Sequence, residues 1–598
     1  MDHRLVVHGF LGRVENTGTF GERNPFFPSP SVLNGDWYVG GRSGWSHRKE
    51  PFNVQECRGT SMRVQLCFRF SALTLLLLVC RVNAQQELKV TDFGAHPTHT
   101  GVQNSAAVTA AIQHARDNPG AGPYVLRFPH ESSPDFDPLV IPPPPAPVGP
   151  PAFDTVYHLS KKIEIFPSDN IVGIQGDLFG DLPVDNDPTS LGRHADWPIP
   201  KVKLSNDNRV SRWLLYVSMC NGVTIKDLIL DGDVSQRMQD QIPMNGIVLA
   251  GCRSCMVQNI RMLDFGTRPE RKNPGGSQIL MVSAEPGLGI IDVQPGQASR
   301  SSAMNVIKQC IFHDVLNAPQ SSFAVRLATD WTIDVPFGFK EAYAIRFIPS
   351  GSDSLVDKIK TVIQAAPSAD FEDGFTFRVE RNTVRHNDFR NGFYWNAIEI
   401  AGPATRENTV RNNFCLRTYQ SPLDADKGAS LNLFENNLIV DVRPNDSLPG
   451  YADNRANTFA LRDQGTPPTF DKETGDFLSR GYFNIHNRFV NNVVRLVDAS
   501  DKADEAHRSA GMMLRLTQFS EVSTNLFENF VENGQQSVFL FRSGVITPTF
   551  DGNLYSSASG TSFEGREPLS NLLWLRYWGD RYDAAGKNQT SLESVPEP

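Results

Sequence analysis

Six short runs in this chain place a charged residue at their centre: Val325-Arg326-Leu327, Ile345-Arg346-Phe347, Ile398-Glu399-Ile400, Leu461-Arg462-Asp463, Leu514-Arg515-Leu516 and Phe541-Arg542-Ser543. Side chains of an extended strand alternate between its two faces, so the apolar flanks turn inward and the charged residue turns outward. Five of the six are arginine. A row of guanidinium groups binds carboxylate or sulfate through forks that are always charged, which is the chemistry for holding an extended anionic chain. On a solvated face the same row would only cover apolar strands with its stems and pair locally with Asp or Glu. Arg326, Arg346, Arg462, Arg515 and Arg542 are therefore the candidate substrate-binding residues.

Glu399 is the odd carboxylate in that row. Desolvated, it would keep a proton and act as a general acid; hydrolysis of a glycosidic bond then needs a second carboxylate, from Asp231, Asp233, Asp264 or Asp314. Elimination would instead need a base for the proton next to a uronate carboxylate, with Arg326, Arg346 or His313 in that part of the chemistry. Glu399, Asp231, Asp233 and His313 are the catalytic candidates. Asp231, Asp233 and Asp240 lie close in sequence, but their spacing matches no EF-hand loop, and a solvated turn is the plainer reading. No metal site is assigned and no cofactor is required; Ca2+ is the one ion the carboxylates admit.

Positioning these residues in one row demands a repeat. ERNTVRHNDF from Glu380 and RENTVRNNF from Arg406 place Asn382 and Asn408, and Val384 and Val410, 26 residues apart. Looser copies are NLFENNLIVDV, NIHNRFVNNVVRLV and STNLFENFVEN, with CMVQNIRMLDF and NVIKQCIFHDV before them. A unit of that length with three short strands cannot bury its apolar face alone, but stacked coils form a continuous core. Asn suits the bends, because it tolerates the left-handed region and bonds to its counterpart one coil away. The expectation is an all-β parallel solenoid, with an all-β sandwich as the rival. A strand and an Ala-rich helix with Val108, Ile112 and Ala115 on one face precede it. The proline-rich stretch between Asp137 and Phe153 reads as a surface loop, and residues 266–301 and 337–375 read as long loop insertions.

VTDFGA with AAVTAAIQ, the coil GVTIKDLILDGD from Gly222, and GIVLAGCRSCMVQNIRMLDF resemble the right-handed parallel β-helix proteins of the pectate-lyase superfamily over roughly residues 88–590. The resemblance implies a right-handed, single-stranded parallel β-helix with a short N-terminal capping helix. It also implies polysaccharide lyase, glycoside hydrolase, epimerase or tailspike functions, without choosing among them. HPTHTGVQN replaces the family's short Gly-Asp-Gly turn, and the Gly-His-Gly and Arg-Ile-Lys signatures of polygalacturonase-type hydrolases are missing.

Met62, Arg63, Arg69, the uncharged run from Phe70 to Cys80 and Val82-Asn83-Ala84 form a signal-peptide pattern, the apolar core being too short for a bilayer. Residues 1–61 are expected to be a disordered, non-native upstream extension, 62–84 the signal peptide, 85–590 the β-helix domain and 591–598 a tail. The expected location is extracellular or periplasmic, with no membrane association after cleavage. Five cysteines follow Ala84: Cys220, Cys252, Cys255, Cys310 and Cys415, an odd number that argues against a disulfide framework. With 57 Lys+Arg against 66 Asp+Glu, the net charge of −9 excludes a nucleic-acid binder by bulk charge. The expected function is a secreted carbohydrate-active enzyme cleaving glycosidic bonds of an anionic polysaccharide, its partner, by hydrolysis or β-elimination. The alternative is a non-catalytic β-helical glycan-binding protein or adhesin.

Overall fold

The computed structural model describes residues 85–130, 155–177, 200–204, 213–236, 244–267, 275–283, 300–314, 319–329, 378–442, 457–465, 469–470, 477–479, 483–495, 508–530, 536–541, 545–546, 548–557, 562–563 and 575–577. The signal-peptide and upstream-extension expectations, the proline-rich stretch, Arg346 and Arg542 all lie outside these residues.

Short strands recur once per coil and pair in parallel with their counterparts in the coils before and after. One parallel sheet has eleven strands: β1 (Ile163–Ile165), β2 (Trp213–Ser218), β3 (Asn245–Ala250), β4 (Ser277–Val282), β5 (Phe323–Ala328), β6 (Asn396–Ala401), β7 (Leu423–Asp426), β8 (Asn457–Gln464), β9 (Arg508–Arg515), β10 (Gln536–Phe541) and β11 (Leu575–Tyr577). A sheet of 22 strands carries the other two strands of each coil, and short three-stranded ladders close the corners. The molecule is a parallel β-helix. The segment 266–301, expected to be one loop excursion, contains β4, which pairs with β3 and β5 in register. The polar residues around Ser277–Val282 hid a strand whose six residues are all buried.

The 26-residue repeat is visible as register. Thr383, Val384 and Arg385 pair with Thr409, Val410 and Arg411. Two asparagine ladders follow the corners. Asn305, Asn382, Asn408, Asn432 and Asn487 form one; in it Asn382 Nδ2 donates to Asn408 Oδ1 at 3.0 Å, and Asn408 Nδ2 to Asn432 Oδ1 at 3.1 Å. Asn387, Asn413, Asn437, Asn492, Asn525 and Asn553 form the second. These side chains are buried, so each amide satisfies the backbone and the amide of the neighbouring coil where water cannot. Inside the coils, interior rings stack as well, Phe312 on Phe389 and Phe434 on Phe489, each at 4.7 Å between centroids.

The helix α1 (Gly101–Asp117) packs Val108, Ile112 and Ala115 into the end of this core. Thr100 and Gln103 form a reciprocal capping box that satisfies its first amides. All five described cysteines are buried free thiols, and burial pushes Cys220 and Cys310 up to about 12. Among the described residues no helix is long and apolar enough to cross a membrane.

Candidate functional site

Alternation along β5–β8 sends Val325, Leu327, Ile398, Ile400, Leu423, Ala425 and Leu461 into the core. The intervening residues face outward and stack rung on rung: Arg326 pairs with Glu399, Glu399 with Asp424, and Asp424 with Arg462. The row continues toward the N-terminus through Leu280, Val248 and Tyr216, which with Trp213, Ala250, Val282 and Phe166 form an apolar cluster separate from the core. Toward the C-terminus Met513 takes the next rung.

Arg326, Glu399 and Arg462 thus share one face, as the alternation of their runs predicts. Arg515 turns to the same outward side, since Leu514 is in the core, but it is not in their row. It lies opposite Gln464, two residues further along the strand, because Met513 rather than Arg515 stacks on Arg462. Leu514-Arg515-Leu516 imitates the pattern, but strand registry is set by hydrogen bonds along the whole of β9, and one motif cannot reveal that offset.

The row is also not a free cationic strip. Arg326 Nε donates to Glu399 Oε2. Arg462 forks onto Asp424, with Nε at 2.8 Å from Oδ1 and Nη2 on Oδ2, and it lies 3.8 Å from Asp426. Phe323 carries the Arg326 guanidinium 4.9 Å above its ring. All five charged side chains are buried, from Asp424 at 0% exposure to Arg462 at 8%. Carboxylate oxygens of Glu399, Asp424 and Asp426 lie within 4.8 Å of one another.

Burial pushes the Asp424 carboxyl up to about 7 against the pull of the Arg462 guanidinium, with the Asp426 and Glu399 carboxylates adding to the rise. Burial also raises Asp426, with Arg462 and Lys427 opposing. Arg462 loses solvation too, but its two aspartates more than offset that and hold it charged. Asn396 Nδ2 donates to Asp424 Oδ2 at 3.0 Å, while its own Oδ1, buried, has no hydrogen-bond partner. The arrangement can store a proton on Asp424 next to a second carboxyl group, in a setting where a transferred proton is not shared with bulk water.

Asp424 and Asp426 are the residues sequence reasoning missed. Their signal was present as Leu423-Asp424-Ala425-Asp426, a two-residue alternation of the same kind that marks Glu399. Asp463 was masked by its neighbour Arg462. It points inward and accepts from Asn484, Asn487 and Ser520, taking over the acceptor role where Ser520 interrupts the first asparagine ladder.

The other catalytic candidates lie elsewhere. Asp231 ends a strand of the 22-stranded sheet, Thr224–Asp231, and groups with Asp233 and Asp264. Lys203 Nζ already supplies the positive charge there, 2.8 Å from Asp233 and 3.9 Å from Asp231, while Asp264 accepts from the Ser235 amide and hydroxyl. A lysine ammonium in that position is a poor match to a Ca2+ site. His313 lies on the 22-stranded sheet opposite Arg390, and burial, then Arg261 and Arg390, lower its pKa. A cleft of about 430 Å³ between α1 and β1, lined by Arg116, Lys161 and Glu164 among others, contains none of these residues.

No protein-family model matches the chain, and no curated protein does. The solved structures it is similar to are parallel β-helix proteins. An alginate lyase from Paenibacillus sp. str. FPU-7 is 10% identical over 77% of this chain and 99% of its own, with a TM-score of 0.36. The Streptococcus pneumoniae surface adhesin PfbA is 8% identical over 79% and 97%, with a TM-score of 0.39. The tailspike of E. coli bacteriophage HK620 is 10% identical over 78% of this chain but only 62% of its own, with a TM-score of 0.40. At these values the likeness assigns no activity.

Proposed function

We propose that this protein is an exported glycoside hydrolase that cleaves a polysaccharide at the outward row of β5–β8. The observation that carries the reading is the carboxylate group on adjacent rungs, with Asp424 held up at about 7 beside Glu399. Asp424, protonated, is the general acid that gives its proton to the leaving glycosidic oxygen. Glu399, oriented by Arg326, attacks the anomeric carbon, forming a glycosyl ester as the glycosidic bond breaks. Water then cleaves that ester and returns its proton to Asp424. Retention follows from the short carboxylate separation, since inversion needs roughly 6.5–9.5 Å to fit a water between the groups. Elimination is the weaker alternative, because it needs positive charge to neutralise a substrate carboxylate and both guanidinium groups are engaged.

Incubation with a glycan panel should release reducing ends without the absorbance of unsaturated uronate. Glu399→Gln and Asp424→Asn should each lower kcat by about 10²–10⁴-fold. Full turnover in either variant removes this assignment. The burial of all five charged side chains favours a second reading, a non-catalytic glycan-binding β-helix in which the ion pairs only hold coil register. That reading expects binding without any release of reducing ends.

A further inference from the structure

We propose that Cys252 and Cys255 become joined by a disulfide that staples the corner after β3, at the end of the first asparagine ladder. The last amide of that ladder is Asn305, whose Oδ1 accepts from the Cys255 backbone at 2.9 Å. Cys255 therefore holds the ladder position one coil earlier, and Val223 holds the one before it. Neither side chain can replace an amide, so the corner Cys252-Arg253-Ser254-Cys255 lacks the side-chain bonding that fixes the later corners to one another.

This corner turns its first and fourth side chains toward each other. Arg253 pairs with Ala303, so Ser302 and Asn305 are the counterparts of Cys252 and Cys255 in the next coil, and there Asn305 Nδ2 donates to Ser302 Oγ at 3.2 Å. Further along, Asn484 and Asn487 converge on one oxygen, Asp463 Oδ1. The cysteines converge in the same way: the Cys252 thiol donates to the Cys255 sulfur, and both side chains are buried. Cys220 stacks one rung before Cys252. Rungs are about 4.8 Å apart, whereas a disulfide holds its Cβ atoms at about 3.8 Å, which favours the pair within the turn over the pair between coils. The hydrogen bond from Cys252 lowers the pKa of Cys255 against the effect of burial, and the Arg300 guanidinium, bonded to Met219 O at 2.6 Å, adds to the fall. As the chain folds, and before the corner is buried, the Cys255 thiolate attacks one sulfur of oxidised glutathione and expels the other half as a thiolate. Cys252 gives its proton to that thiolate, attacks the Cys255 sulfur and releases the second glutathione. Two protein thiols and one disulfide become one protein disulfide and two glutathione thiols.

Trypsin cuts after Arg253 and so places Cys220, Cys252 and Cys255 in three separate peptides, residues 213–226, 238–253 and 254–261. The test is to synthesise the full chain in the presence of oxidised glutathione, alkylate the free thiols in denaturant, and weigh the tryptic peptides without reduction. Peptides 238–253 and 254–261 are expected as one species, two hydrogens lighter than their sum, exceeding their separate alkylated forms by at least about tenfold. Dithiothreitol should part them, while Cys310 and Cys415 should be found alkylated. Alkylation of both Cys252 and Cys255 overturns the inference, and so does a bond from either of them to Cys220. Protein made with oxidised glutathione should also melt roughly 2–4 °C above protein made with the reduced form alone. That difference should vanish in the double variant Cys252→Ser, Cys255→Ser. Equal melting of the two wild-type preparations would show that the bond staples nothing.

Discussion

Asp424 combines two demands that usually conflict, since it forms a fork with a permanent cation and yet binds a proton more tightly than a free carboxyl. Burial is the larger effect and raises its pKa to about 7, from the usual range near 3.9. The sign for stability follows. The folded state holds this proton better than the unfolded state, so its contribution is complete below about pH 4 and is lost as pH rises through about 7. Urea denaturation across pH 4–8 should show stability falling over that window, and Asp424→Asn, which keeps a neutral side chain at every pH, should flatten the fall. A slope identical in the two proteins would place the titration elsewhere. The same proton predicts that kcat/KM declines above about pH 7 and that this limb disappears in Asp424→Asn.

The elements that hold Asp424 in place are defined by their corners. Strands of two to eight residues have few ladder bonds each, so register depends on the asparagines that join one coil to the next. Asn408 illustrates the load. It accepts from the amide and side chain of Asn382, both at 3.0 Å, and donates to Val379 O and Asn432 Oδ1. Asn408→Ala strands several buried polar groups at once and should cost about 3 kcal/mol or more in chemical denaturation. Asn412, four residues away, is exposed with φ of 54°, a value that glycine adopts freely. Asn412→Gly should therefore change stability by less than about 0.5 kcal/mol. Equal losses at the two positions would mean that ladder bonding is not what holds the coils.

At the scale of the whole molecule each coil touches mainly its two neighbours, so a coil can be removed in register. Asn408 and Asn432 occupy equivalent positions 24 residues apart. Deleting residues 408–431 brings Asn432 onto Asn382 and stacks β8 directly on β6, so that Arg462 meets Glu399 in place of Asp424. The shortened protein should remain folded, with an unchanged far-UV dichroism shape and a monodisperse elution, as expected of a quasi-one-dimensional fold. It should also be inactive, because Asp424 and Asp426 go with the deleted coil. A chain that fails to fold would show that the coils are coupled beyond their nearest neighbours.

The solenoid was legible in the sequence because its signal is local and repeated: Asn382 and Asn408 recur at coil spacing, and apolar alternation around Arg326, Glu399 and Arg462 sets which side faces out. The helix against the end of the core was legible for the same reason, through the spacing of Val108, Ile112 and Ala115. What the sequence left open was which rung meets which. Coil lengths vary from 24 to 77 residues between successive asparagines of one ladder, so a motif such as Leu514-Arg515-Leu516 can match in pattern and still be displaced by two residues. Only the tertiary structure decided that Asp424 lies between Glu399 and Arg462, and hence that the arginines face carboxylates rather than an open groove. The physical reason is that charge and pKa depend on distances between coils, and those are set by hydrogen-bonded register summed over the whole stack, not by the residues on either side of a charge.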